Sequence, residues 1–362
     1  PTPTPPPSGS QLAWSAMMYF DCDINLCDSY PGLITRMENE LGAKIGANGF
    51  LNIAVLIDLH PQYCQTNQPG ATRYLIQANG QYTQTVNRWD MGELNMGDPQ
   101  TLINFTTWAM QNYPADHYYL AIDDHGGGVS GISWDDSNNS DNITNDELFA
   151  ALKEITKNGE RKLDVFAYEA CLMAMYENVY DLRNFANFIF GFPTISFANN
   201  ASYPSYLGDE RFTAQTSGRQ LGDIMFDVYY DAVTAPYVVT LLDSSQINAL
   251  HTAVNNWATA LRNATGGSST ALANARTAAQ KVEANGDNVI TNEDPYVDLW
   301  DLADKTAAQG IATTEAAALK SAIEATAVRL KIRPPTASPC WDYSHSHGLT
   351  IFWPLTASGH YN

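Results

Sequence analysis

Two short segments hold residue types that suit nucleophilic catalysis. The first is Tyr119-Leu-Ala-Ile-Asp-Asp-His125-Gly126-Gly127-Gly128, an apolar run that ends in an imidazole and three glycines. A histidine so placed can act as a general base and acid. The glycines let backbone approach a ligand closely and turn N–H groups toward a developing anion. The second is Leu163-Asp-Val-Phe-Ala-Tyr-Glu169-Ala170-Cys171-Leu-Met-Ala-Met-Tyr-Glu177, where a thiol follows another apolar run and precedes a helical pattern. Orphan amides at a helix start there would favour thiolate at Cys171. An attacking thiolate, a histidine and backbone donors for the oxyanion together make up cysteine-peptidase chemistry.

Taken singly, each feature has an ordinary reading, because a lone cysteine is more often a small buried hydrophobe. Their positions count for more. His125 stands 46 residues before Cys171, each closes an expected strand, and the separation matches the approximate His-to-Cys distance of caspases.

Those strands belong to a longer alternation. Residues 14–20, 51–57, 118–122, 163–167 and 187–197 read as strands, and helical patterns fall near 31–44, 98–113, 145–157 and 172–185. Strands alternating with helices predict an α/β fold with a mostly parallel sheet flanked by helices. In such sheets, sites form in the crevice at the carboxyl ends of the strands. After about residue 218 the chain turns Ala-rich with helical spacing, over 218–232, 244–265, 269–284, 295–308 and 313–330. The expected organisation is a Pro-rich tether over 1–11, an α/β catalytic domain over 12–217 and a helical region over 218–362. A late strand, 347–353, would return to the sheet as an edge strand, with Pro354 ending it.

Composition narrows the partners. The 362 residues carry 19 Lys+Arg against 39 Asp+Glu, a formal net charge of −20. That balance argues against nucleic acid or an anionic membrane, which need a basic face. It leaves room for a cationic substrate or a metal ion. No apolar run approaches the ~20 residues that span a bilayer. The opening Pro1-Thr-Pro-Thr-Pro-Pro-Pro favours extended polyproline II, so a lipid or surface anchor through this tether is expected, on a secreted, cell-surface or periplasmic protein. Five cysteines are an odd number, and Cys171 is the one with a chemical setting. No Gly-x-Ser-x-Gly elbow is present, which sets aside an α/β serine hydrolase.

The two segments, with 14–20 and its Asp/Asn turn, Asn95-Met-Gly-Asp-Pro-Gln-Thr101 and the late His347-Gly-Leu-Thr-Ile, resemble the clostripain (C11) family of cysteine peptidases. That family shares a clan with caspases, gingipains and legumains, and the resemblance covers most of the chain. It implies a caspase-like fold, peptide or protein substrates, and no cofactor for the chemistry. It implies His125 as general base and acid, Cys171 as nucleophile, and the amides of Gly126 and Cys171 as oxyanion hole. The family usually has Asp two residues before the nucleophile, lining a pocket for Arg or Lys. Here Glu169 takes that place and still offers a negative charge. The second acidic wall expected after the next strand is replaced by amides, so Asn199 is the expected second substrate-binding residue. From 129 to 152 there is no Lys or Arg, so either no self-cleavage occurs there or the cut falls near 153–161.

The loop after His125 is dense in oxygen ligands. From Asp136 it places Asn138, Ser140, Asn142, Thr144 and Glu147 at calcium-loop positions, and the wider family shows Ca2+ dependence. Position 6 is Asp141 rather than Gly. The stronger reading is a polar turn with Thr144-x-x-Glu147 as a capping box. A rival function is a non-catalytic surface module of the same fold that binds peptide or calcium; loss of His125 or Cys171 would mark it, and both are present.

Overall fold

The computed structural model describes residues 11–25, 32–45, 49–64, 69–76, 87–197, 202–265, 270–335 and 341–355. Residues 1–10 of the tether and Asn199 lie outside these. The strands are β1 Leu12–Cys22, β2 Leu51–Leu59, β3 Ala71–Leu75, β4 Arg88–Gly92, β5 Ala115–Asp123, β6 Ile132–Asp135, β7 Asp141–Ile143, β8 Leu163–Glu169, β9 Ala186–Gly191, β10 Tyr237–Asp243, β11 Lys281–Val282, β12 Tyr296–Asp298, β13 Ala327–Arg333 and β14 Thr350–Phe352. The helices are α1 Leu33–Glu40, α2 Pro99–Asn112, α3 Asn145–Ile155, α4 Tyr176–Leu182, α5 Ser202–Gly208, α6 Gly218–Ala232, α7 Ile247–Thr265, α8 Thr270–Ala278, α9 Leu299–Ala308 and α10 Thr313–Thr326.

Nine strands form one sheet in the order β13-β10-β9-β8-β5-β1-β2-β3-β4. The inner five, β9 to β2, are parallel, and the pairs on either side are antiparallel. This is the caspase-like α/β class. The inner strands are apolar along their length because both faces are covered. Along β1, Met17 and Tyr19 join the core under α2, α3 and α7, while Ala16, Met18 and Phe20 join the core under α1, α5 and α6. Caps fix the helix starts: Asp98 accepts from the Gln100 amide ahead of Pro99, and Thr144 with Glu147, and Ser217 with Gln220, form capping boxes.

The second half is not an all-helical appendage. Its β10 and β13 complete the main sheet. The Ala-rich helix expected over 313–330 stops at Thr326, because Val328-Arg-Leu-Lys-Ile alternates at the strand period and pairs along β10. The late strand also differs from expectation. With β13 already on that edge, β14 pairs with β12 in a separate sheet of order β11-β12-β14. Among the described residues no helix is long and apolar enough to cross a membrane.

Candidate active site

Parallel pairing brings the carboxyl ends of β1, β5 and β8 side by side, with Asp123 on β5 in register with Glu169 on β8. His125 and Cys171 each follow by two residues, so both face one cleft of about 430 Å³. Gly126 passes so close to the thiol segment that a Cβ there would stand 2.1 Å from the Cys171 carbonyl oxygen. Gly128 has φ +62°, and a Cβ on it would meet the Tyr296 hydroxyl at 2.5 Å. That hydroxyl donates to the Gly127 carbonyl (2.8 Å) and accepts from the Val129 amide (3.1 Å). The small sheet of the second half therefore clamps the loop that carries His125.

The segment around Cys171 departs from expectation. Cys171 does not open a helix: α4 begins at Tyr176. The chain between continues as a strand-like strip, with Leu172 N–H donating to Thr194 O and Ala174 N–H to Phe192 O (both 3.0 Å). Leu172 sits at φ +65°, a costly conformation for a branched residue, of the kind that clusters at functional sites. Burial pushes the Cys171 thiol up, opposed by hydrogen bonds from Ser196. The Ser196 amide donates to Sγ at 3.3 Å. Burial also lowers His125, against the charge of Asp136. Both shifts work against the charged forms of the pair, and no helix dipole supports a thiolate here as the sequence suggested. Glu177, in the first turn of α4, accepts from the Phe352 amide at 3.2 Å and ties β14 to the site's flank.

Two further residues converge that the sequence reading passed over. Asn25, beyond the end of β1, places Oδ1 2.9 Å from His125 Nε2. An amide oxygen there is satisfied by Nε2–H and leaves Nδ1 as the basic nitrogen. Asp123 lines the cleft with Glu169, Tyr203 and Tyr229, and the Tyr203 hydroxyl donates to Asp123 Oδ2. Asp123 is thus a second carboxylate in the pocket. It comes from the strand before His125 rather than from the segment after β9. Burial, then the charge of Asp123, pushes the Glu169 carboxyl well above its usual range.

The proposed calcium loop is not assembled as one. Glu147 Oε2 accepts from the Thr144 amide and hydroxyl to close its capping box, and Asn142 Nδ2 donates to Ser130 O across a hairpin turn. Ser140 Oγ donates to Asp136 Oδ1 (3.0 Å), and Asn138 Nδ2 contacts Glu93 and Asp135. Asp136, Asn138, Ser140, Asn142 and Glu147 therefore spend their side chains in different directions. Of the other cysteines, Cys22 is free and buried, and Cys64 is disulfide-bonded.

A mostly parallel caspase-like sheet with thiol, imidazole and close-packed glycines at adjacent strand ends defines the class of protein. A model of the clostripain family, Peptidase C11, matches residues 19–332, and the chain belongs to that family. Over 194 residues it is 32% identical to the clostripain of Hathewaya histolytica, an alignment covering 46% of this chain and 35% of that protein. The chain thus spans about a third of the length of the curated relative it matches. The fold is similar to an inactive zymogen C11 protease from Parabacteroides distasonis: TM-score 0.69, 18% identity, covering 95% of this chain and 93% of that one. It is also similar to a secreted C11 cysteine protease from Bacteroides thetaiotaomicron in complex with an irreversible peptide inhibitor. There the TM-score is 0.67 and the identity 17%, covering 94% of this chain and 92% of that one.

Proposed function

We propose that this protein is a cysteine endopeptidase that cleaves after a basic residue, acting outside the cytoplasm. The observation that carries the reading is one cleft holding Cys171, His125 and two carboxylates, Asp123 and Glu169. Substrate docks with its P1 side chain between those carboxylates and its scissile carbonyl over Sγ. His125 takes the thiol proton as Sγ attacks. No hydrogen bond joins the two side chains among the described residues, an arrangement that suits a base acting on bound substrate rather than a preformed ion pair. The amides of Gly126 and Cys171 receive the oxyanion. His125 then protonates the leaving amine, and water activated by the same imidazole releases the acyl group.

Asn25 holds the imidazole tautomer, and the Glu169–Asp123 pair selects a cation, because a bound cation offsets the burial and the like charge that push the Glu169 carboxyl up in the empty pocket. Kinetics on fluorogenic peptides test the assignment. Cys171→Ala abolishes hydrolysis, and a P1-randomised library shows Arg and Lys in first place. Turnover that survives in Cys171→Ala removes the reading; a library preference for small apolar P1 residues removes the pocket assignment.

A further inference from the structure

Three polar atoms of one residue gather around the sulfur of Cys171. Ser196, in the strip that follows β9, donates its amide to Sγ at 3.3 Å, and its Oγ stands 3.6 Å from the same sulfur. The Ser196 carbonyl oxygen, also at 3.6 Å, accepts from the thiol. The backbone pairing explains this arrangement. Leu172 N–H donates to Thr194 O and Ala174 N–H to Phe192 O, so the two strips run antiparallel. One rung further along, the Ser196 amide meets Sγ where a backbone carbonyl would otherwise stand.

Ser196 is fixed from both sides. Thr194, fully buried, accepts from the Val238 amide of β10 at 2.9 Å. Phe197 is held by the Tyr229 hydroxyl of α6, which accepts from its amide (3.3 Å) and donates to its carbonyl (3.0 Å). Donors held in place before a charge forms need no reorganisation when it does. Other supports for a thiolate are absent among the described residues: no helix starts at Cys171, and no Lys or Arg lines the cleft. The titratable groups around the sulfur are Glu283 after β11, Tyr229, Tyr343 and His125, with Asp123 and Glu169 in the same cleft. Glu283 opposes a negative sulfur by its charge.

We propose that Ser196 is a catalytic residue, whose amide and hydroxyl donate to the Cys171 thiolate and replace the helix N-terminus that this segment lacks. The inference rests on Cys171 as the nucleophile. As His125 takes the thiol proton, the S–H bonding pair stays on sulfur, and the contact with the Ser196 carbonyl loses its hydrogen. The Ser196 hydroxyl then rotates to donate beside the amide, since a hydroxyl can serve either as donor or as acceptor. Sγ next bonds the scissile carbonyl carbon, and the carbonyl π pair moves to oxygen. The charge thereby leaves the Ser196 donors for the amides of Gly126 and Cys171.

The test reads the sulfur itself. Alkylation of the full chain by iodoacetamide is followed against pH, with peptide mapping so that only Cys171 counts. Ser196→Ala keeps the amide and loses the hydroxyl, so the alkylation midpoint moves up by about one pH unit. The thiolate fraction below that midpoint, and kcat/KM with it, falls by about tenfold. Ser196→Thr restores the hydroxyl and returns both to the parent's values. Both variants melt with the parent, since residue 196 lies half-buried at the cleft wall. A midpoint that Ser196→Ala leaves unmoved, or a shift that Ser196→Thr fails to reverse, overturns the proposal. So does a rise in KM at constant midpoint, which assigns the hydroxyl to substrate. Turnover that survives in Cys171→Ala is a separate failure: it removes the nucleophile, and the role of Ser196 falls with it.

Discussion

Glu169→Gln keeps the size of the side chain and removes its charge from the proposed P1 pocket. Glu169 and Asp123 are register partners on adjacent parallel strands, about 5 Å apart by strand spacing. Two unit charges at that distance interact by about 3 kcal/mol at an effective dielectric of about 20. A guanidinium between them gains a comparable attraction from each, so deleting one carboxylate costs about 3 kcal/mol. At 1.36 kcal/mol per tenfold, that is a loss of about 10²-fold in kcat/KM for Arg and Lys at P1. Substrates with Ala or Gln at P1 lose less than about threefold. The pH dependence carries the same signature. Glu169 is held well above its usual range by burial and then by Asp123, so activity on basic substrates falls as pH drops through that raised value. Asp123→Asn removes the second cause and moves this acid limb to lower pH. The assay is kcat/KM against pH on matched fluorogenic peptides differing only at P1. An equal loss on basic and neutral substrates, or an acid limb that Asp123→Asn leaves in place, would refute the pocket.

Asn25→Ala lowers kcat by about tenfold with little change in KM, since His125 loses its orienting acceptor. Asn25→Asp keeps the acceptor and raises the imidazole pKa, visible as a shifted limb in the kcat–pH profile. Gly126→Ala pushes a Cβ to 2.1 Å from the Cys171 carbonyl oxygen, so it abolishes turnover and lowers the melting temperature while far-UV circular dichroism stays native-like. Glu177 is pushed up to about 7 from an ordinary 4.5 by burial. The folded state therefore holds its proton more tightly than the unfolded one, and stability falls as pH rises from about 4.5 to about 7, by about 3 kcal/mol. Denaturant melts across that range show the slope, and Glu177→Gln flattens it.

The central strands were legible because residues 51–57 and 163–167 are apolar apart from Asn52 and Asp164 and do not alternate, the mark of a sheet covered on both faces. The proposed catalytic pair was legible for the same reason, as His125 and Cys171 each punctuate such a run. Asp123 was overlooked because the second acid was sought downstream of β9, while it stood two residues before His125 and became a pocket residue only through its register with Glu169. A helix was expected at Cys171 because the Leu-Met-Ala-Met pattern suits one. Backbone bonds to Thr194 and Phe192 claim those amides instead. In the second half, β13 was hidden inside a helical run, since a strand of alternating Val, Leu and Ile shows itself only when a partner such as β10 pairs with it.

The account stands most directly on the identity of the nucleophile and the charge of its pocket. Treatment with a peptidyl chloromethyl ketone bearing Lys at P1, followed by peptide mapping, measures both together. One adduct on Cys171 is predicted, formed far faster than with the Ala analogue and lost in His125→Ala. Labelling that is slow, falls equally on Cys22, or is indifferent to the P1 side chain would contradict it.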